Sequence, residues 1–199
     1  KDLHPDCILF FRLGDFYEMF DEDALLLSKE LELTLTSRDR SKPQEERTPM
    51  CGVPYHSADA YIARLIARGY KVAICEQMED PAQAKGLVGR EIIRIVTPGT
   101  VIDTSMLEEG RNNYLCALYQ DSQGTGLCLC DISTGACTAA AFPPTREGEE
   151  HLMNELGRFS PKEAVLSDGA SSNEALTKFL SRALECRCEN GGEARLRAD

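Results

Sequence analysis

Phe11-Arg12-Leu13-Gly14-Asp15-Phe16-Tyr17-Glu18-Met19-Phe20 is the stretch on which the reading of this chain turns. A helix beginning near Tyr17 would put Tyr17, Phe20, Ala24, Leu27 and Leu31 on one stripe, at the 3-and-4 spacing of a core-facing surface. Phe16 and Glu18 fall off that stripe. On an ideal helix residues i and i+2 point nearly opposite ways, whereas in an extended or opening-turn backbone they share a side. Phe16 and Glu18 can therefore act together only if Asp15 to Glu18 is not regular helix. An apolar plate beside a hydrogen-bonding carboxylate, on the tip of an element, suits a site that wedges into something stacked and polar.

Working outward, residues 7–13 read as a buried strand, Gly14-Asp15 as a break, and 18–31 as an amphipathic helix with acidic first turns that favour its dipole. Residues 33–36 alternate as a second strand, and 37–49 form a polar loop. Pro49 and Pro54 bracket a short extended piece. Ser57 can cap a helix that runs to about Arg68 and stops at Gly69. A third core strand spans 71–75, a polar irregular stretch 80–89 and another strand 91–96. Residues 103–113 are polar enough to connect two units, with the boundary at about residue 106. Beyond it, strands at 114–119, 127–132 and 136–142, joined by the turns Gly124-Thr125-Gly126 and Ser133-Thr134-Gly135, predict an antiparallel meander. A helix over 146–159, a strand at 164–166 and a helix over 173–184, with Ser171 or Ser172 as cap, follow. That is the opening order of a ribonuclease H-like α/β domain. The tail from residue 185 reads as truncated or loosely ordered.

The chain has 199 residues, 42% of them hydrophobic, enough for one large core or two ordinary ones. No apolar run approaches the ~20 residues of a membrane span, and the first residues lack the layout of a secretory signal. The chain opens directly before a strand, so it is expected to be a piece of something longer. Nine cysteines lie mostly in apolar strand-like runs, which predicts reduced core thiols in a cytoplasmic protein rather than a disulfide framework. Neither Cys128-x-Cys130 nor Cys186-x-Cys188 has the spacing of a zinc knuckle, and no metal site is expected. The net charge of −11 argues against binding nucleic acid by phosphate neutralisation alone. Residues 1–105 hold 13 basic and 18 acidic residues and the remainder 9 and 15, so neither half is a basic domain. Basic residues cluster only locally, at Arg38 to Arg47 and at Lys85, Arg90 and Arg94. Without further information such residues read as a solvated surface.

Several ordered blocks resemble the start of the bacterial MutS family of DNA mismatch recognition proteins. They are residues 11–20, Pro49-Met50-Cys51-Gly52-Val53-Pro54-Tyr55-His56, Val72-Ala73-Ile74-Cys75-Glu76-Gln77, Asp80-Pro81, Lys85-Gly86 and Arg94-Ile95-Val96-Thr97-Pro98-Gly99-Thr100. The match is dense over 1–105 and rests more on pattern over 112–199, through Asp131-Ile132-Ser133-Thr134-Gly135. The resemblance implies an α/β chain: a mixed-sheet mismatch-binding domain with flanking helices over 1–105, then a ribonuclease H-like α/β connector domain over 106–199. It puts the family's Phe-x-Glu reading motif on Phe16 and Glu18, and DNA-backbone contacts on Arg38, Lys85 and Arg90. Tyr17, Phe20 and Tyr55 read as core or loop-anchoring aromatics. The implied partners are mismatched double-stranded DNA and, through the connector, a MutL-type protein. A homodimer is implied for a full-length member, whereas the fragment alone is expected to be monomeric and to bind DNA weakly.

The chemistry behind such a motif is that a mispaired step has already lost pairing and stacking energy, so inserting a ring costs less there. Glu18 among phosphates is repelled unless it accepts a hydrogen bond from a base donor, or takes up a proton on desolvation and donates one. The second is the expected route. A two-metal nuclease needs converging carboxylates. Here Asp131 lies near a strand end, Asp121 at a turn, and none inside 114–119 or 164–166, so no catalytic residues are expected. No Gly-x-x-x-x-Gly-Lys-Ser/Thr loop is present, and ATP and magnesium are expected only in a region outside these residues. The rival reading is a protein-docking module with no DNA binding of its own.

Overall fold

The computed structural model describes residues 1, 3–39, 41–78 and 89–192. The chain divides into two compact units, Lys1–Thr97 and Pro98–Asp199. In the first, strands β1 (Cys7–Leu13), β2 (Phe16–Phe20), β3 (Thr36–Ser37), β4 (Pro49–Pro54), β5 (Lys71–Gln77) and β6 (Arg90–Val96) form one sheet in the order β3-β4-β2-β1-β5-β6. β1 pairs antiparallel with β2 and parallel with β5. A parallel pair needs a long crossover, and helices α1 (Asp21–Glu30) and α2 (Ala58–Ala67) lie within it. Their apolar stripes bury Ala24 and Leu27, and Ala58, Ile62, Leu65 and Ile66. Phe10, Met19, Val53 and Val72 supply the sheet's share of this core.

The first helix is shorter than the spacing predicts. Residues 16–20 belong to β2, and Tyr17 lies on the core face of a strand rather than on a helical stripe. Gly14 has φ +57°, which suits the first central position of a two-residue hairpin turn. The aromatic-rich segment after it then pairs back on β1 with Leu13 opposite Phe16 and Phe11 opposite Glu18. Asp21, with φ +51°, breaks the strand from the helix. Of the strand expected at 33–36 only Thr36 joins the sheet, with Ser37 beside it. Ser57 makes no side-chain cap: its hydroxyl donates to the Pro54 carbonyl (3.1 Å).

The second unit carries β7 (Tyr114–Asp121), β8 (Gly124–Asp131), β9 (Ala136–Phe142), α3 (Arg146–Phe159), β10 (Glu163–Leu166), α4 (Asp168–Ser172), α5 (Glu174–Lys178) and β11 (Arg187–Asn190). The sheet order is β11-β10-β7-β8-β9, with β10 parallel to both β7 and β11. This meander with two parallel strands on its first-strand side is the expected ribonuclease H-like arrangement. One face packs Leu118, Leu127, Leu129, Ala164 and Leu166 against Leu152 and Leu156 of α3 and Leu176 and Leu180 beyond α4. The helix expected over 173–184 is interrupted: Asn173, not Ser171 or Ser172, caps α5 by accepting from the Leu176 N–H (3.1 Å), and residues 179–183 form a π turn. Nor is the tail loose at its start, since Cys186 is buried and β11 joins the sheet.

Asp131 ends β8 and is 1% exposed. Its carboxylate accepts from the N–H groups of Asn113, Ser133 and Thr134 and from the Ser133 hydroxyl (2.6 Å), fixing the β8–β9 turn. Burial pushes this carboxyl up, but those donors outweigh it and hold it below its ordinary 3.8. A lowered native value means that the contribution is present above the ordinary value and fades as pH falls through the native one. Asp131→Asn places an amide NH2 among donors and should cost about 1–3 kcal/mol. A denaturant titration at neutral pH measures it, and the loss should shrink below pH 4.

Candidate nucleic-acid interface

Alternation along β2 sends Tyr17 and Met19 into the core and Phe16, Glu18 and Phe20 to the opposite face. Phe16 heads the strand beside the Gly14-Asp15 turn and is 46% exposed. Two residues further, about 7 Å along an extended strand, stands Glu18. Its neighbours across the sheet are Phe11 on β1 and Gly52 on β4. A Cβ built on Gly52 would sit 3.2 Å from the Tyr17 carbonyl and 3.6 Å from the Glu18 Cγ. With glycine there, the strip beside Glu18 stays low, which lets a large flat partner approach the carboxylate.

Phe20 and Phe11 extend the same face. Their rings meet edge-on with centroids 6.5 Å apart. Arg38 lies 6.0 Å from the Phe20 centroid and Arg90 lies 5.1 Å from that of Phe11. Such cation–π contacts hold a guanidinium without neutralising it. Arg90 also donates from Nε to the Arg12 carbonyl (3.0 Å). Phe16, Glu18, Arg38 and Arg90 thus belong to one aromatic and cationic surface. Lys85 lies outside the described residues.

The opposite face fixes the hairpin tip. The Arg12 guanidinium stacks on Tyr55 (3.7 Å to the centroid) and lies 3.5 Å from the Glu76 carboxylate. Tyr17 donates its hydroxyl to the same carboxylate, and Arg12 Nε donates to the Gly14 carbonyl. The Gly14 N–H donates to the Gln77 side chain (3.1 Å) and the Tyr55 N–H to the Asp15 carbonyl (3.0 Å). Burial and the Glu76 carboxylate push the Tyr17 phenol up to about 12. Sequence reasoning missed Phe11, Arg12, Gly52 and Glu76. Counting back from a two-residue turn gives the pairs 13 with 16 and 11 with 18, so reading 16–20 as a strand would have found Phe11.

Among the described residues of the second unit the acidic side chains do not converge. Asp121 accepts from the Gln123 N–H (2.7 Å) and buried Glu163 from the Gly99 N–H (2.9 Å), while Asp131 holds its turn. Among the described residues no group of three or more His, Cys, Asp or Glu could hold a metal ion, and no helix is long and apolar enough to cross a membrane.

The models of two protein domains match the chain: MutS domain I over residues 1–105 and MutS domain II over 113–194. A DNA mismatch repair protein MutS from Acetivibrio thermocellus is 53% identical over 187 residues, 93% of this chain and 21% of the relative. Those from Ruminiclostridium cellulolyticum and Staphylococcus saprophyticus are 52% and 51% identical over 92% and 93% of this chain, and 20% of each relative. The chain thus spans about a fifth of the length of the curated relatives it matches. With the first domain's model covering more than half of its residues, this chain belongs to the MutS family of DNA mismatch repair proteins.

Proposed function

We propose that the first unit reads a mispaired step in double-stranded DNA. Phe16 enters the step from the minor groove, and Glu18 hydrogen-bonds the displaced base. Arg38 and Arg90, with Lys85, contact the phosphates on either side. The observation that carries this reading is the half-exposed Phe16 ring on the same face as Glu18, beside the low strip at Gly52. Side-chain wedges unstack a step for a few kcal/mol and bend the duplex, a cost that falls where pairing is already lost. Recognition of this kind reads deformability, which suits a sensor that must accept any surrounding sequence. The phosphate contacts position the protein and carry no sequence information.

Glu18 takes up a proton as phosphates surround it and water leaves, and then donates to a ring nitrogen of the displaced base. In its charged form it penalises a paired duplex that offers no such acceptor. Glu18→Gln, which donates without charge, should keep or strengthen binding to paired duplex and narrow the preference for a mismatch. Fluorescence anisotropy with matched and mismatched duplexes, on this chain and on a longer protein that carries it, reads both affinities. Equal weakening on the two duplexes would reject the role of Glu18, and no mismatch preference in the unaltered longer protein would reject the whole reading in favour of a docking module.

By the same reasoning, the second unit is the connector that meets a MutL-type partner. Homodimerisation and magnesium-dependent ATP hydrolysis are proposed for regions of a longer protein outside these 199 residues.

A further inference from the structure

We propose that Cys130 and Cys137 form a redox-responsive dithiol that closes into a cross-strand disulfide by exchange with a low-molecular-weight disulfide of the glutathione class. The two residues are direct partners across β8 and β9, and their sulfurs are 2.7 Å apart. Directly opposed residues of an antiparallel pair have Cα atoms roughly 4.5 or 5.5 Å apart, and both values lie within the span of a disulfide, about 4.4–6.8 Å. Closing the bond to about 2.05 Å therefore needs side-chain rotation and little backbone movement.

Access separates this pair from most of the other thiols, and Cys188, half-buried like Cys130, has Ala164 opposite it across the sheet. Cys7, Cys51, Cys75, Cys116 and Cys186 are buried, whereas Cys137 is exposed and Cys130 is half-buried. Six of the seven residues of β9 are exposed, so the edge strand leaves its cysteine open to an attacking disulfide. Cys128 is exposed as well, but it faces Ala117 on one side and Ala139 on the other. From Cys137 it is a diagonal neighbour at roughly 7–8 Å, beyond easy bridging. The Asp131 turn, one residue past Cys130, fixes the register that brings the two sulfurs together.

The neighbouring Cys137 sulfur pushes the Cys130 thiol up, and Cys137, the more exposed of the two, is the first to react. Its thiolate attacks one sulfur of glutathione disulfide, forming a mixed disulfide and releasing one glutathione thiolate. Cys130, losing its proton to solvent, attacks the Cys137 sulfur and displaces the second glutathione. Two protein thiols and one glutathione disulfide become one protein disulfide and two glutathiones, with two electrons passing to glutathione. The product ties the exposed edge strand covalently to its neighbour.

The test equilibrates the folded 199-residue chain in glutathione buffers of increasing oxidised fraction, quenches it with acid, then denatures and alkylates it. Mass spectrometry should count nine labels on the reduced chain and seven on the oxidised one, with a peptide linking Cys130 to Cys137. Cys128→Ala should still lose two labels, and Cys137→Ala, at an exposed position, should form no internal link. Nine labels at every ratio would overturn the proposal. So would a stable glutathione adduct without the internal link, or a link through Cys128.

Discussion

Replacing Phe16 by alanine should remove most of the preference for a mismatched over a paired duplex while leaving the fold intact. Stacking between a base and an aromatic side chain contributes about 1–3 kcal/mol. At 1.4 kcal/mol per factor of ten, mismatch affinity should fall roughly 5- to 150-fold. Paired duplex, which does not admit the ring, should lose far less. Stability should hardly change, because the ring is 46% exposed and surface substitutions usually stay within about 0.5 kcal/mol. Anisotropy titrations on both duplexes, with thermal unfolding of the same samples, measure the two effects. A uniform drop on both duplexes would make Phe16 a general contact rather than a reader. A large drop in stability with unchanged discrimination would return it to the core.

How much of this could be read before the fold was known depends on the element. The strands at 7–13, 71–75 and 91–96 have apolar runs that admit one assignment, and the meander of the second unit is bracketed by glycine turns. Both survive in the structure, although Gly124-Thr125-Gly126 opens β8 and the turn before it lies at Ser122-Gln123. The segment 16–31 was ambiguous because Tyr17, Phe20, Ala24, Leu27 and Leu31 fit a helical period while Phe16 to Phe20 also fit a strand. Hairpin closure at Gly14-Asp15 decided it, a contact between strands that no helical periodicity contains. Phe16 and Glu18 were legible as a pair, since only extended backbone gives them a shared side. The supports were not: Arg12 reaches Tyr55 and Glu76, 43 and 64 residues away in the chain, and such partners emerge only when β1 lies beside β5. The exposed cysteines of β8 and β9 escaped for a related reason, because a strand's apolar composition does not reveal which face of its sheet is left uncovered.

Arg12→Met should loosen the hairpin tip and weaken discrimination without removing a phosphate contact. Methionine keeps an apolar stem against Tyr55 but deletes the charge that stacks there, pairs with Glu76 and donates to the Gly14 carbonyl. Hydrogen bonds to charged groups contribute about 1.5–3 kcal/mol, and cation–π contacts about 0.5–2. Because the sites share partners, a combined loss of about 2–3 kcal/mol is expected. Mismatch affinity should fall along with it, since Phe16 follows the turn that Arg12 holds. Arg12 pairs with Tyr17 on the core face, so the slope of log affinity against log salt should not change, whereas loss of a phosphate contact would lower it by roughly 1. A lowered slope would reassign Arg12 to the DNA backbone. The same network gives an alkaline signature. Tyr17 has a native value of about 12 against an ordinary 10.0, so its contribution is complete below pH 10 and disappears as pH rises towards 12. Tyr17→Phe should lose the hydroxyl's bond to Glu76 at neutral pH and flatten the stability profile across that window, as denaturant titrations at pH 9 to 12 would record.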